Sequence, residues 1–220
     1  MEIPEKTPRN NHGRFAVIGV LLLAVAATVF FIVGRNSTPG DASPEAGFAR
    51  DMAVHHAQAV EMSFIVRDAT DNEEIRRLAY DIIVTQTAQR GMFMGWLQQW
   101  GLTYASSRPA MAWMSGHGHA AAAAPRGGDG SGKMPGMATA EELDRLRAAT
   151  GKEAEILFLQ LMIRHHEGGV EMADGLLALS DREEVVTMAR HISNGQAGEI
   201  ELMTRMLADR GAEPYPSILD

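Results

Sequence analysis

The 220-residue sequence predicts an all-α protein: a four-helix bundle built from two tandem helical hairpins and preceded by a transmembrane helix. Three observations carry the prediction. The chain repeats itself without gaps at an offset of 110 residues, with 15 of 54 positions identical between residues 48–101 and 158–211. Each copy sets apolar residues at helical spacing on both sides of a short acidic turn, TDNEEI in the first and SDREEV in the second. Residues 15–33, FAVIGVLLLAVAATVFFIV, form a run of 19 residues without a charge.

That run is long enough to cross a hydrocarbon core of about 30 Å at about 1.5 Å per residue. Residues 1–14 are expected on the cytoplasmic side, 15–34 as the anchor and 35–44 as a polar linker. The run ends in Phe30, Phe31, Ile32 and Val33, with no Ala-x-Ala cleavage site. An uncleaved signal anchor is therefore expected, with the rest of the chain extracytoplasmic (periplasmic or extracellular), or secreted if the segment is removed. There is no cysteine, which excludes a lipoprotein anchor, disulfides, thiolate metal sites and thiol catalysis. The net charge is −8, and residues 1–35 carry four basic and two acidic side chains, so residues 36–220 stand near −10. A surface that acidic is a poor match for nucleic acid.

The first hairpin is assigned to residues 45–101, with arms over 45–69 and 72–100. Residues 102–138 are rich in Gly, Ala, Ser and Pro, lack a sustained period and are read as a flexible loop. This loop carries Met111, Met114, His117, His119, Met134 and Met137. The second hairpin spans 139–212. It opens with a capping box, Thr139 with Glu142, and a short helix to about residue 149. A long helix over 152–179 and a last helix over 182–210 follow, then a tail over 213–220. Two hairpins, each with an apolar stripe, bury those stripes against one another as a four-helix bundle.

The repeated helix carries the chemistry. FARDMAVHHAQAVEMS recurs as FLQLMIRHHEGGVEMA. At about 100° per residue, Met52, His55, His56 and Met62 share one face with Phe48, Ala59 and Val66. Met162, His165, His166 and Met172 do the same in the second copy, whereas Glu61 and Glu171 fall on the opposite side. Those glutamates reach a metal only if it sits at the bundle edge, and otherwise pair with arginine or cap a neighbouring hairpin. Gln86 and Gln196 lie on the apolar faces of the second arms, with Glu199 close by and Gln89 as its counterpart. Buried imidazoles need polar partners. No histidine follows a glutamate at the Glu-x-x-His spacing of di-iron bundles. Methionine stands there instead, at Met52–His55, Met114–His117, Met162–His165 and Met188–His191. Residues three apart share a helix face, and thioether with imidazole suits Cu(I), while zinc and iron also accept imidazole. The metal candidates are thus the eight inward Met and His residues together with Glu61, Glu171, Glu199 and His191. Met92, Met94, Met203 and Met206 read as core filler.

The tandem His-His-x4-Glu-Met signature, with the run from Ala189 through Ile192, Gln196, Glu199 and Ile200 to Met203, resembles the secreted bacterial proteins of the domain of unknown function 305 family. The resemblance covers roughly residues 46–102 and 139–212. It implies a ferritin-like four-helix bundle and, for some members, binding of copper or silver in metal tolerance. Gln89 departs from the pattern of Glu199. The expected function is that of a membrane-anchored copper-binding protein, acting in sequestration, delivery or tolerance and not in turnover. Its partners would be the metal ion, the membrane through the N-terminal helix, and a second copy or a copper-handling protein. A ferritin-like metal-dependent oxidoreductase and a metal-free interaction bundle with a pH-sensitive histidine core are the alternatives.

Overall fold

The computed structural model describes residues 21–25, 27–28, 38–114 and 134–219. Two compact units are present, Met1–Thr38 and Pro39–Asp220. In the first, residues 21–25 and 27–28 are helical and exposed. Most of the expected anchor over 15–34, and all of residues 1–14, lie outside the described residues. Among the described residues no helix is long and apolar enough to cross a membrane. His117 and His119 also lie outside them.

The second unit is all helical among the described residues. It contains α1 (Pro44–Ala69), α2 (Glu73–Gln99), a 3₁₀ turn (Ala112–Met114), α3 (Ala140–Ala148), α4 (Gly151–Leu177) and α5 (Glu183–Asp209). The helix starts follow from local chemistry. The Ser43 side chain accepts from the Ala46 N–H, and the Asn72 side chain accepts from the N–H groups of Glu74 and Ile75. The capping box of Thr139 and Glu142 is formed in full. Gly101 and Gly211 sit at φ of +72° and +69° just beyond α2 and α5, where a residue with a Cβ would be strained.

Helices α1 and α2 form one hairpin and α4 and α5 the other, and α1 packs on α4 between them. The two halves of the core meet at a polar layer. One apolar cluster takes Met62 and Val66 of α1, Ile75 and Ile82 of α2, Phe158 and Met162 of α4 and Met203 and Leu207 of α5. The other takes Phe48 and Met52 of α1, Phe93 and Leu97 of α2, Met172 and Leu176 of α4 and Val185 and Ile192 of α5. Each cluster thus receives one inward methionine from each repeat flanking a histidine pair. That pattern follows from two antiparallel copies of one helix related by a pseudo-twofold axis through the layer.

Short α3 is bracketed onto this frame. Arg164 of α4 donates to both carboxylate oxygens of Glu142, at 2.9 and 2.6 Å, and Arg147 pairs with Glu61 of α1. At the far end Arg210 donates to Glu155 at 2.7 Å, and the pair is almost fully buried.

Four helical glycines, Gly91, Gly95, Gly195 and Gly198, have open space where a Cβ would stand. Replacing any of them by alanine removes unfolded-state entropy at no steric cost. Gly198→Ala is expected to stabilise the fold by about 0.5–1 kcal/mol, raising the thermal midpoint by roughly 1–4 °C in a melting curve.

Candidate metal centre

The polar layer is made by residues that the helical repeat brings to one level. His55, His56, His165 and His166 are all fully buried. The imidazoles of His55 and His165 face each other across the α1–α4 contact, with ring centroids 3.8 Å apart and planes tilted by 34°. His166 lies beside His165, at 6.4 Å between centroids. The two repeats therefore bring their first histidines into contact in one layer.

Three of the histidines are oriented through Nε2. His55 donates to the backbone carbonyl of Pro135 at 3.1 Å. His56 donates to Gln89 Oε1 at 2.7 Å, and His166 donates to Glu199 Oε2 at 2.6 Å. Each of these bonds places the ring proton on Nε2 and leaves the lone pair on Nδ1. The Nδ1 atoms of all four histidines are buried without a hydrogen-bond partner, as is Nε2 of His165. The side-chain amide of Gln196 and the carbonyl oxygen of Gln86 are unpartnered as well. Gln196 is seated directly on Gly169, where a Cβ would lie 2.1 Å from its Oε1. Burial opposes the charged ring at His55, His56 and His165: it lowers His55 to about 4 and His56 to about 3. His165 is lowered well below the usual histidine range, first by burial and then by its histidine neighbours.

A cluster of buried, lone-pair-bearing nitrogens is costly without partners, at about 1–3 kcal/mol each. Imidazoles held by an outer hydrogen bond through one nitrogen, with the other free, match the arrangement of metal ligands. The donor set is small, however. Among the described residues no three His, Asp or Glu side chains are gathered tightly enough to hold an ion alone. The donors that the layer brings together are the imidazoles of His55 and His165.

The remaining sequence candidates divide clearly. Met52, Met62, Met162 and Met172 are fully buried in the apolar clusters on either side of the layer. Glu199 holds His166 from outside. Glu61 faces outward to Arg147 and away from the layer. Glu171 is half-buried, and burial raises its carboxyl above the usual range. His191 is exposed on α5, apart from the other four histidines.

One part of the site was not foreseen. The segment 102–138, read as a flexible loop, is docked at both of its described ends. Asp51 accepts from the Met111 N–H at 2.8 Å and from Trp113 Nε1 at 2.9 Å. At the other end residues 134–138 form a strap over the layer. Gln58 clamps Ala138 from both sides, donating to its carbonyl at 2.9 Å and accepting from its N–H at 2.7 Å. Pro135 supplies the carbonyl to His55. The strap lies so close to α4 that a Cβ on Gly168 would stand 2.1 Å from the Pro135 oxygen, and one on Gly136 2.3 Å from the Arg164 oxygen.

The fold and the layer together define a class: a helical bundle with a buried, pseudo-symmetric histidine core. Residues 45–207 match the family model "Domain of unknown function (DUF305)", and the chain belongs to that family. Similar solved structures agree. A DUF305 protein from Streptomyces coelicolor, described as a candidate secreted protein, is 49% identical over 80% of this chain and 99% of its own, with a TM-score of 0.71. A DUF305 fragment from Deinococcus radiodurans is 31% identical over 76% and 96%, with a TM-score of 0.60. CopM in its Cu(II)-bound form is 26% identical over 75% and 96%, with a TM-score of 0.56, and CopM has also been solved with Cu(I) and with silver. Comparison with curated proteins gives no match.

Proposed function

We propose that the chain is an extracytoplasmic holder of copper, taken up as Cu(I) and sequestered or passed on without turnover, with residues 15–34 as its membrane anchor. The observation that carries this reading is the face-to-face contact of His55 and His165, 3.8 Å apart in a fully buried layer of unpartnered ring nitrogens. Zinc sites are almost always four-coordinate, whereas a soft monovalent ion is content with two or three donors. Two imidazoles, joined by a thioether turned in from Met52, Met62, Met162 or Met172 of the flanking clusters, would supply that number, and thioether favours Cu(I). The binding of copper and silver by CopM, a protein of the same fold, supports the reading, as does the description of the Streptomyces coelicolor protein for the extracytoplasmic location.

Anaerobic Cu(I) titration of the full chain against a competing chelator tests this. One tightly held ion per chain is expected. Replacing both His55 and His165 by alanine is expected to weaken it by roughly a hundredfold or more, since even outer-shell changes cost about 10- to 100-fold. Unchanged affinity in that double variant would refute the assignment.

A further inference from the structure

We propose that Glu199 sets the charge of the ion that the histidine layer accepts, making the layer a site for one monovalent cation that discriminates against divalent ions. This rests on the metal-holding reading above and adds to it a specificity-determining residue.

The argument comes from where the pseudo-symmetry fails. Position 89 in α2 and position 199 in α5 are equivalent under the 110-residue repeat. Both hold the second histidine of their hairpin by the same bond, Gln89 on His56 at 2.7 Å and Glu199 on His166 at 2.6 Å. Geometry is conserved between the halves and charge is not. The next position deepens the difference. Arg90 stands where the second repeat has Ile200, and its Nε donates to the Ala53 carbonyl of α1 at 3.0 Å. The first half thus offers an amide and a nearby cation, and the second a carboxylate with an apolar neighbour.

The other polar side chains of the layer, Gln86 and Gln196, are neutral amides. The carboxylate next to His166 in sequence, Glu167, is turned to the tail and accepts from the Ile218 N–H at 3.1 Å. Glu61 and Glu142 are spent on Arg147 and Arg164. Among the described residues Glu199 is thus the one carboxylate hydrogen-bonded to a histidine of the layer, and Arg90 opposes a cation from the other half. A charge moved from water into such a place needs an equal opposite charge close by. Glu199, acting through His166, offsets a single positive charge, whereas a divalent ion brings a second one that Arg90 makes costlier.

Cu(I) and Zn(II) are both d¹⁰ ions but differ in charge, softness and coordination number, so the quantity that reports charge is the change of each affinity between variants that keep the same ligand set. The test is competition titration of the full chain with each, for the unaltered protein, Glu199→Gln and Gln89→Glu. Glutamine at 199 repeats what the protein already uses at 89, so the hydrogen bond to His166 and the fold are retained, which a melting curve checks. Glu199→Gln is expected to weaken Cu(I) about tenfold at unchanged stoichiometry. Gln89→Glu, which supplies a second carboxylate, is expected to raise the Zn(II) to Cu(I) affinity ratio about tenfold. A change smaller than threefold in either measurement overturns the proposal. The double replacement of His55 and His165 separates the two levels. If that variant holds Cu(I) as the unaltered chain does, the metal-holding reading is wrong. If it loses Cu(I) while Glu199→Gln does not, only the charge assignment is wrong.

Discussion

Metal-free protein taken from pH 7 to pH 4.5 is expected to lose about 5 kcal/mol of stability, read as a steady fall of the urea midpoint below pH 6.5. The cause is the histidine layer. His55 and His56 have folded values of about 4 and about 3 against an ordinary 6.5, because burial opposes the charged ring. Between those limits the unfolded chain binds protons that the folded chain refuses, so acid favours unfolding. Each such histidine costs about 1.4 kcal/mol per pH unit. The stabilisation is fully present above pH 6.5 and is lost as the pH falls toward each folded value. His165 is lowered in the same direction and adds to the slope. A domain is stable by only about 5–15 kcal/mol, so the effect reaches the scale of the whole fold. His56→Gln removes one of these protons and is expected to flatten the slope by about 1.4 kcal/mol per pH unit. An unchanged slope in that variant would show that His56 is not held neutral.

The second large effect is expected from Gly168→Val. The added side chain meets the Pro135 carbonyl, and the adjoining Gly136 lies against the Arg164 oxygen one turn earlier on the same helix, so the strap can yield only by moving away from α4. The strap over 134–138 has to lift. With it go the His55–Pro135 bond and the two-sided Gln58 clamp. Overpacking and lost buried hydrogen bonds together cost about 2–4 kcal/mol, a fall of roughly 5–12 °C in thermal midpoint for a domain of this size. Local detachment is distinguished from global weakening by amide hydrogen exchange. The Ala138 N–H, which donates to Gln58, should lose protection first. Gly198→Ala, with open space at its Cβ, is the matched control and moves the midpoint the other way.

Periodicity made the frame legible and could not reveal the strap. The 110-residue repeat and the helical wheel located the helices, put Met52, His55, His56 and Met62 on a buried face, and turned Glu61 outward. Those properties depend on residues one or two turns apart. The meeting of His55 with His165 follows from the same pattern once two copies are packed antiparallel. The strap depends on contacts between Gln58 and Ala138, and between His55 and Pro135, each 80 residues apart in the chain. One side of each contact is aperiodic loop. The only local trace is the glycine pair in HHEGG, where Gly168 admits the Pro135 carbonyl and Gly169 admits Gln196. His191 illustrates the opposite error. Its Met-x-x-His spacing matches that of His55 and His165, yet His191 is exposed while Met188 is buried, because residues three apart differ by about 60° around the helix and the buried stripe ends between them.

The polar layer also bears on how the two hairpins find each other. Their apolar stripes are near copies, and methionine and leucine packing tolerates sliding. A slip of one turn, about 5.4 Å along α1, would part His55 from His165 and set it among the apolar side chains of α4. Buried polar residues in coiled coils act in this way as register keys. The histidines would thus align the two halves of the chain before any ion arrives, and the same four side chains would serve first as an assembly mark and afterwards as a binding site.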